Sequence, residues 1–194
     1  MDRRTAVKLA ATSPLLLTWS ACDADEAARQ ARAARASGEA YAPKFFNEHE
    51  WQTVRTLVDL ILPADERSGS PTDAGVPEFM DFITSDQPDR QTAMRGGLAW
   101  IDTECRERFG RSFIECAADE RKQLLDDIAW PKRARPEVAA GVAFFNRFRD
   151  LTAAGFWSSR TGIDDLQYTG NTVVPQWTGC PPEALARLGV SYGA

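Results

Sequence analysis

The chain has 194 residues, a formal net charge of −5 and a pI near 5.0. This length fits one folded domain with additional segments, and the negative charge argues against nucleic acid or anionic lipid headgroups as partners. The single histidine, His49, leaves almost nothing for a zinc site or a Ser-His-Asp triad, and no glycine-rich phosphate-binding or nucleophile-elbow motif occurs.

Residues 1–22 have the features of an export signal. Arg3 and Arg4 are followed by an apolar residue and Lys8, and then by a mildly apolar run that ends at Trp19. This order is typical of twin-arginine signals, and the run is too short for an ordinary membrane span. We therefore predict a periplasmic location. Cys22 is a candidate lipidation site that would anchor the chain to the membrane. Because Trp19 replaces the aliphatic residue of a lipoprotein motif, lipidation of Cys22 and its removal with the signal both remain open.

Residues 23–43 are polar and rich in alanine and arginine. They have no apolar face that a helix could bury. We interpret them as a tether, transiently helical, that joins the signal to a domain formed by residues 44–194.

This domain is predicted to be all-α, a small bundle of about five helices with a long C-terminal loop. Asn47 and Glu50 match a capping box, with Phe46 and Trp51 placed as a hydrophobic staple. Apolar residues then recur at helical spacing until Pro63 ends the run. Further helices are predicted from Pro77, from an Asp89 cap to Phe109, over about 118–129, from about Pro136 to Leu151, and as a short turn over 181–188. Strand-like alternation is confined to residues 172–174.

The segment 144–182 is predicted to begin as helix and to continue as a long aromatic loop. Past the helix it carries Phe156, Trp157, Tyr168 and Trp177 among several glycines, which permit an irregular backbone path. The aromatic content argues against disorder and is typical of surfaces that dock a partner. Composition favours equally a loop that folds back and buries these rings against its own helices.

Three cysteines follow Cys22 along the chain. Cys105 and Cys116 flank a turn at Gly110 and would pair if their segments run antiparallel, although Cys105 also fits a free, buried core position. Cys180 is the odd thiol, which in an exported protein indicates an intermolecular bridge or a reactive free group. An internal bridge from Cys180 to Cys105 or Cys116 is the alternative.

Five short motifs resemble the gluconate 2-dehydrogenase subunit 3 family over about residues 45–182. Each motif is short, and their order and spacing together carry the resemblance. They are Phe46-x4-Trp51, Leu60-Ile61-Leu62-Pro63-Ala64-Asp65, Gly155-Phe156-Trp157-Ser158, Asp165-Leu166-x-Tyr168-x-Gly170-Asn171 and Trp177-x-Gly179-Cys180-Pro181.

The resemblance implies a non-catalytic small subunit with no cofactor of its own. Its implied partner is a large subunit of the glucose-methanol-choline oxidoreductase type, which carries FAD, with an Fe–S cluster as a further candidate group, and oxidises a sugar alcohol group. Electrons then pass to a cytochrome c or a similar acceptor. The resemblance assigns Tyr168, Asn171 and Trp177 to the interface, beside Phe156, Trp157 and Cys180 from the aromatic loop. Because twin-arginine export serves cargo that folds before crossing, we expect this chain to escort its partner.

Two other functions are compatible with the sequence. One is a free-standing periplasmic lipoprotein that binds sugar through its aromatic loop. The other is an enzyme that uses Asp65, Glu66 and Asp73 as general acid and base, although these residues lie in a polar loop where a solvated turn is the favoured interpretation.

Overall fold

The computed structural model describes residues 41–168, 170, 175, 176 and 179–192, together with six residues upstream. Those six, Glu26, Ala27, Arg29, Gln30, Arg32 and Ala33, are helical, and Ala27 is fully buried. The predictions made for Arg3, Arg4, Lys8, Cys22, Asn171, residues 172–174 and Trp177 lie outside the described residues.

The all-α prediction is confirmed, since the described residues form helices and no strand. Two short 3-10 helices, Phe113–Glu115 and Pro136–Val138, stand between longer elements. The α-helices are α1 (Glu48–Ile61), α2 (Pro71–Ala74), α3 (Val76–Asp86), α4 (Pro88–Phe109), α5 (Ala118–Ala129), α6 (Ala139–Trp157), α7 (Arg160–Asp165) and α8 (Pro182–Leu188).

Helix α1 begins as the capping box predicts. The Asn47 side-chain oxygen accepts from the Glu50 N–H at 2.9 Å, and the Glu50 carboxylate accepts from the Asn47 N–H at 3.0 Å. Trp51 is buried within α1, and its ring lies 6.4 Å from that of Phe46. The helix ends at Ile61, two residues before Pro63.

Helix α4 begins two residues earlier than the sequence suggested. Its N-cap is Gln87 and its first residue is Pro88, so Asp89 lies within the first turn instead of capping it. Proline suits the first helical position because the N–H that it lacks would have no helical partner there.

Helix α6 is the central element of the bundle and packs antiparallel to α4. Gly97 of α4 lies directly under the ring of Phe144, and Gly141 of α6 lies under the ring of Trp100. A Cβ atom at either glycine would occupy space that the aromatic ring already fills. These glycines therefore serve close helix packing and leave the helices uninterrupted.

A buried carboxylate fixes the start of the domain to the bundle. Asp81 of α3 is fully buried and accepts a hydrogen bond from the Tyr41 hydroxyl at 2.7 Å. It also accepts from three backbone N–H groups, those of Lys44 at 2.8 Å, Phe45 at 2.9 Å and Phe46 at 3.2 Å. The bonds from Phe45 and Phe46 satisfy donors that would otherwise be buried without a partner.

The three described cysteines are free thiols. Cys105 and Cys116 are both buried. Burial, followed by the nearby Cys116 thiol, raises the pKa of Cys105 to about 12. Cys180 is exposed, so the structure does not place it against either buried thiol.

Candidate docking surface

Helix α6 extends further than predicted and includes Gly155, Phe156 and Trp157, which the sequence analysis assigns to the loop. It ends at Trp157, past Gly155. An added Cβ at Gly155 would lie 2.8 Å from the Phe79 ring and 3.2 Å from Val76. Gly155 therefore allows α3 to approach α6, and the helix continues through it.

The two aromatic residues that follow Gly155 have different surroundings. Phe156 is only 4% exposed and belongs to the core, so its assignment to a partner-binding surface is wrong for this chain. Trp157 is 39% exposed, and its ring meets that of Phe156 edge to face with centroids 4.9 Å apart. The core thus supports Trp157 from below and leaves part of its ring accessible.

Helix α7 occupies a segment that the sequence suggested would be loop. The Ser159 hydroxyl donates to the Phe156 carbonyl at 2.6 Å and accepts from the Gly162 N–H at 3.0 Å. Gly162 packs directly against the Phe156 carbonyl, where a Cβ would overlap. These contacts fold the chain sharply back at the end of α6.

Two large exposed side chains follow α7. Leu166 and Tyr168 are 60% and 52% exposed, and between them Gln167 adopts a left-handed φ of 56°. The Tyr168 N–H donates to the Ile163 carbonyl at 3.2 Å, which closes the turn. We call the exposed side chains of Trp157, Leu166 and Tyr168, which are a candidate binding site for a partner, the docking surface.

A contact between residues distant in sequence holds the end of α7 in place, just before Leu166 and Tyr168. The Arg67 guanidinium donates to the Asp165 carbonyl at 2.6 Å and lies 3.3 Å from the Asp165 carboxylate. This contact ties the loop after α1 to the end of α7. The docking surface therefore has support from two parts of the chain.

Cys180 lies in a small closed unit formed by residues 179–192. Its N–H donates to the Tyr192 hydroxyl at 2.5 Å. Gly179 has a φ of 96° and lies against the Tyr192 ring, which an added Cβ would approach to 2.8 Å. Helix α8 of this unit has no buried residue, and Leu188 and Val190 are exposed.

The carboxylates considered for acid-base catalysis form ordinary turn contacts. Asp65 accepts from the N–H groups of Arg67 and Ser68 at 2.9 and 2.8 Å, and the Ser68 and Arg67 N–H groups hold the pKa of Asp65 below its usual value. Ser70 is the N-cap of α2, and the Asp73 carboxylate accepts from the Ser70 N–H in a second capping box. A lowered pKa suits a solvated turn and not a general acid at neutral pH.

His49 is partly exposed and hydrogen-bonded to Asp102. Asp102 also accepts from the Phe113 N–H at 3.0 Å, so this contact joins α1, α4 and the 3-10 helix. Among the residues that the structure describes, no group of three or more His, Cys, Asp or Glu side chains is placed to hold a metal ion. No helix within the described ranges is both long and apolar enough to cross a bilayer.

Comparison with known proteins gives one family match. The model of the family described as gluconate 2-dehydrogenase subunit 3 matches residues 48–175. No curated protein and no solved structure matches the chain. The matched range contains α1 to α7 and the docking surface, and it ends before Trp177 and Cys180.

Proposed function

Because the chain belongs to the gluconate 2-dehydrogenase subunit 3 family, we propose that it is the non-catalytic small subunit of a periplasmic, FAD-dependent sugar dehydrogenase. In this proposal it docks to the large catalytic subunit, stabilises it and escorts it through twin-arginine export. The large subunit supplies FAD, with an Fe–S cluster as a further candidate group, and a cytochrome c or a similar acceptor takes the electrons.

The docking surface is the observation that carries this proposal. Trp157, Leu166 and Tyr168 remain exposed although the bundle has buried other aromatic side chains, including Phe156. Large aromatic residues on a fixed backbone lose little conformational entropy when a partner covers them, and they contribute strongly to binding.

Measurement of complex formation tests the docking role. We expect the chain, co-expressed with the catalytic subunit, to co-elute with it in gel filtration. Trp157→Ala and Tyr168→Ala should weaken this association while the isolated domain stays folded. Full assembly by the double variant would contradict the docking role. Saturable binding of sugar by the isolated chain, without a partner, would favour the lipoprotein alternative.

The export role needs a separate experiment. Replacement of Arg3 and Arg4 by lysine should leave both this chain and the catalytic subunit in the cytoplasm, because the partner is proposed to depend on this signal. Cell fractionation with antibodies to both chains measures the effect. A catalytic subunit that still reaches the periplasm in this variant would contradict the escort role.

We further propose that Cys180 forms a disulfide with the catalytic subunit. In support, Cys180 is exposed, whereas Cys105 and Cys116 are buried against each other. Gel electrophoresis of the complex without reductant should show one heavier band, which reduction and Cys180→Ser each abolish. Separate subunits without reductant, with Cys180 mapped to an internal partner, would contradict the bridge.

A further inference from the structure

The end of α5 carries the most exposed tryptophan among the described residues. Trp130 is 60% exposed, although the apolar face of α5 before it is buried. The N–H groups of Arg133 and Ala134 both donate to the Trp130 carbonyl, at 2.8 and 3.0 Å. This tight turn holds residues 130–135, the Trp130 loop, in a fixed conformation with the indole outward.

The Trp130 loop is cationic on a chain with a net charge of −5. Lys132, Arg133 and Arg135 lie within four residues, and Arg135 makes a long ion pair of 3.7 Å with Asp127. Asp127 is already bound by Arg108 at 2.6 Å. Neither Lys132 nor Arg133 forms an ion pair with another residue that the structure describes.

Clefts lie beside the exposed indole. One, of about 530 Å³, is lined by Trp130, Arg133, Arg135, Asp126 and Asp127. The other, of about 400 Å³, is lined by Trp130 and residues 131–133. Side chains of a protein partner can fill such clefts, whereas a flat lipid surface leaves them empty. The shape therefore favours a protein partner.

The Trp130 loop lies at the opposite end of α6 from the docking surface. Helix α6 has 19 residues, which at about 1.5 Å per residue separate its ends by about 27 Å. Between them α6 exposes Ala143, Arg147 and Ala154 at helical spacing. An interface of standard size, about 800 Å² per partner, is roughly 30 Å across, so one partner can cover both ends.

We propose that the Trp130 loop is a second docking surface, which binds an acidic region of the same catalytic subunit that the docking surface binds. This inference rests on the proposed function and extends the interface along the whole length of α6. Trp130 packs against apolar side chains of the partner, and Lys132 and Arg133 pair with carboxylates around them. Tryptophan and arginine are the residue types most often responsible for binding energy at interfaces.

The test measures binding of the full chain and its variants to the purified catalytic subunit. Trp130→Ala should raise the Kd by about 30-fold, the effect of removing an anchoring tryptophan. Arg133→Glu should slow association and reduce its dependence on salt, because charges at an interface act mainly on the association rate. Arg55→Glu is the matched control, since Arg55 is also an exposed arginine and lies on α1, and it should leave the association rate unchanged.

The outcomes separate this inference from the proposed function. If the wild-type chain does not bind the catalytic subunit, both are overturned. If Trp157→Ala weakens binding while Trp130→Ala and Arg133→Glu bind as wild type, only the second docking surface is overturned. It is likewise overturned if Trp130→Ala keeps full affinity for the subunit but loses binding to phosphatidylglycerol vesicles. If Trp130→Ala fails to fold, Arg133→Glu still tests the inference, because it replaces only an exposed side chain.

Discussion

Phe156 and Trp157 are neighbours in sequence with opposite expected roles, so they form a matched pair for mutation. Phe156→Ala should lower stability strongly, because it removes a side chain from the core. Trp157→Ala should lower affinity for the catalytic subunit more than stability. Each variant is thus the control for the other.

The exposed fraction of each ring determines the expected losses of stability and of binding free energy. Removal of a buried phenylalanine typically lowers the free energy of unfolding by about 3–5 kcal/mol, which corresponds to a fall in Tm of roughly 10 °C for a chain of this size. A tryptophan side chain has an area of about 250 Å², and 39% exposure leaves about 100 Å² for a partner to cover. At about 25 cal/mol per Å² this area gives about 2.5 kcal/mol of binding free energy.

Trp157→Ala should also cost some stability, because the ring rests on Phe156. We expect no more than about 2 kcal/mol, since an aromatic edge contact is worth about 1 kcal/mol and the ring is only partly covered. Thermal unfolding by circular dichroism and titration against the catalytic subunit measure the two effects. If Trp157→Ala unfolds as readily as Phe156→Ala while its affinity for the catalytic subunit is unchanged, Trp157 is a core residue. Its assignment to the docking surface is then wrong.

Other contacts within the bundle can be tested by mutation and by pH. Asp81→Asn should lower the free energy of unfolding by about 3 kcal/mol in urea titrations, because the NH2 group that replaces one carboxylate oxygen cannot accept the hydrogen bonds made there, whereas Tyr41→Phe should cost about 1 kcal/mol. Equal losses of stability in the two variants would contradict this role of Asp81. Gly162→Ala should displace α7, since its Cβ would overlap a carbonyl at the end of α6, and unchanged hydrogen exchange over 160–165 would contradict it. At pH 8.5 Cys180 should react with thiol reagents and Cys105 only after denaturation. Because its folded pKa is about 12, above the usual value of about 8.5, the stability that Cys105 contributes should decline as the pH rises through this range.

The first helix of the domain is predictable because its signals are local. Asn47 and Glu50 specify the cap through side chains three residues apart, and Pro63 sets the limit of the run. Such signals act within one turn of helix. They do not depend on how the rest of the chain packs.

The end of α6 is not predictable in this way. Gly155 and Gly162 favour a loop interpretation in the sequence, because glycine is common where the backbone turns. In the structure both are helical, and each accommodates a neighbour, the Phe79 ring for Gly155 and the Phe156 carbonyl for Gly162. Only the tertiary arrangement shows which use of glycine applies.

The buried carboxylate of Asp81 also escapes prediction from the sequence. Its only sequence signal is an acidic residue within the apolar run of α3. The groups that it binds lie 35 to 40 positions earlier in the chain, so no local pattern identifies them.

The position of Asp81 determines how mechanical tension enters the domain. A pull on residues upstream of Tyr41, as from a transport machinery or a membrane attachment, reaches segment 41–46 before it reaches α1. The four hydrogen bonds on Asp81 bear that load together, because all of them end on one carboxylate. Unfolding under force is controlled by the unfolding rate. Force applied from upstream is therefore carried in part to α3, inside the bundle, and not to the start of α1 alone.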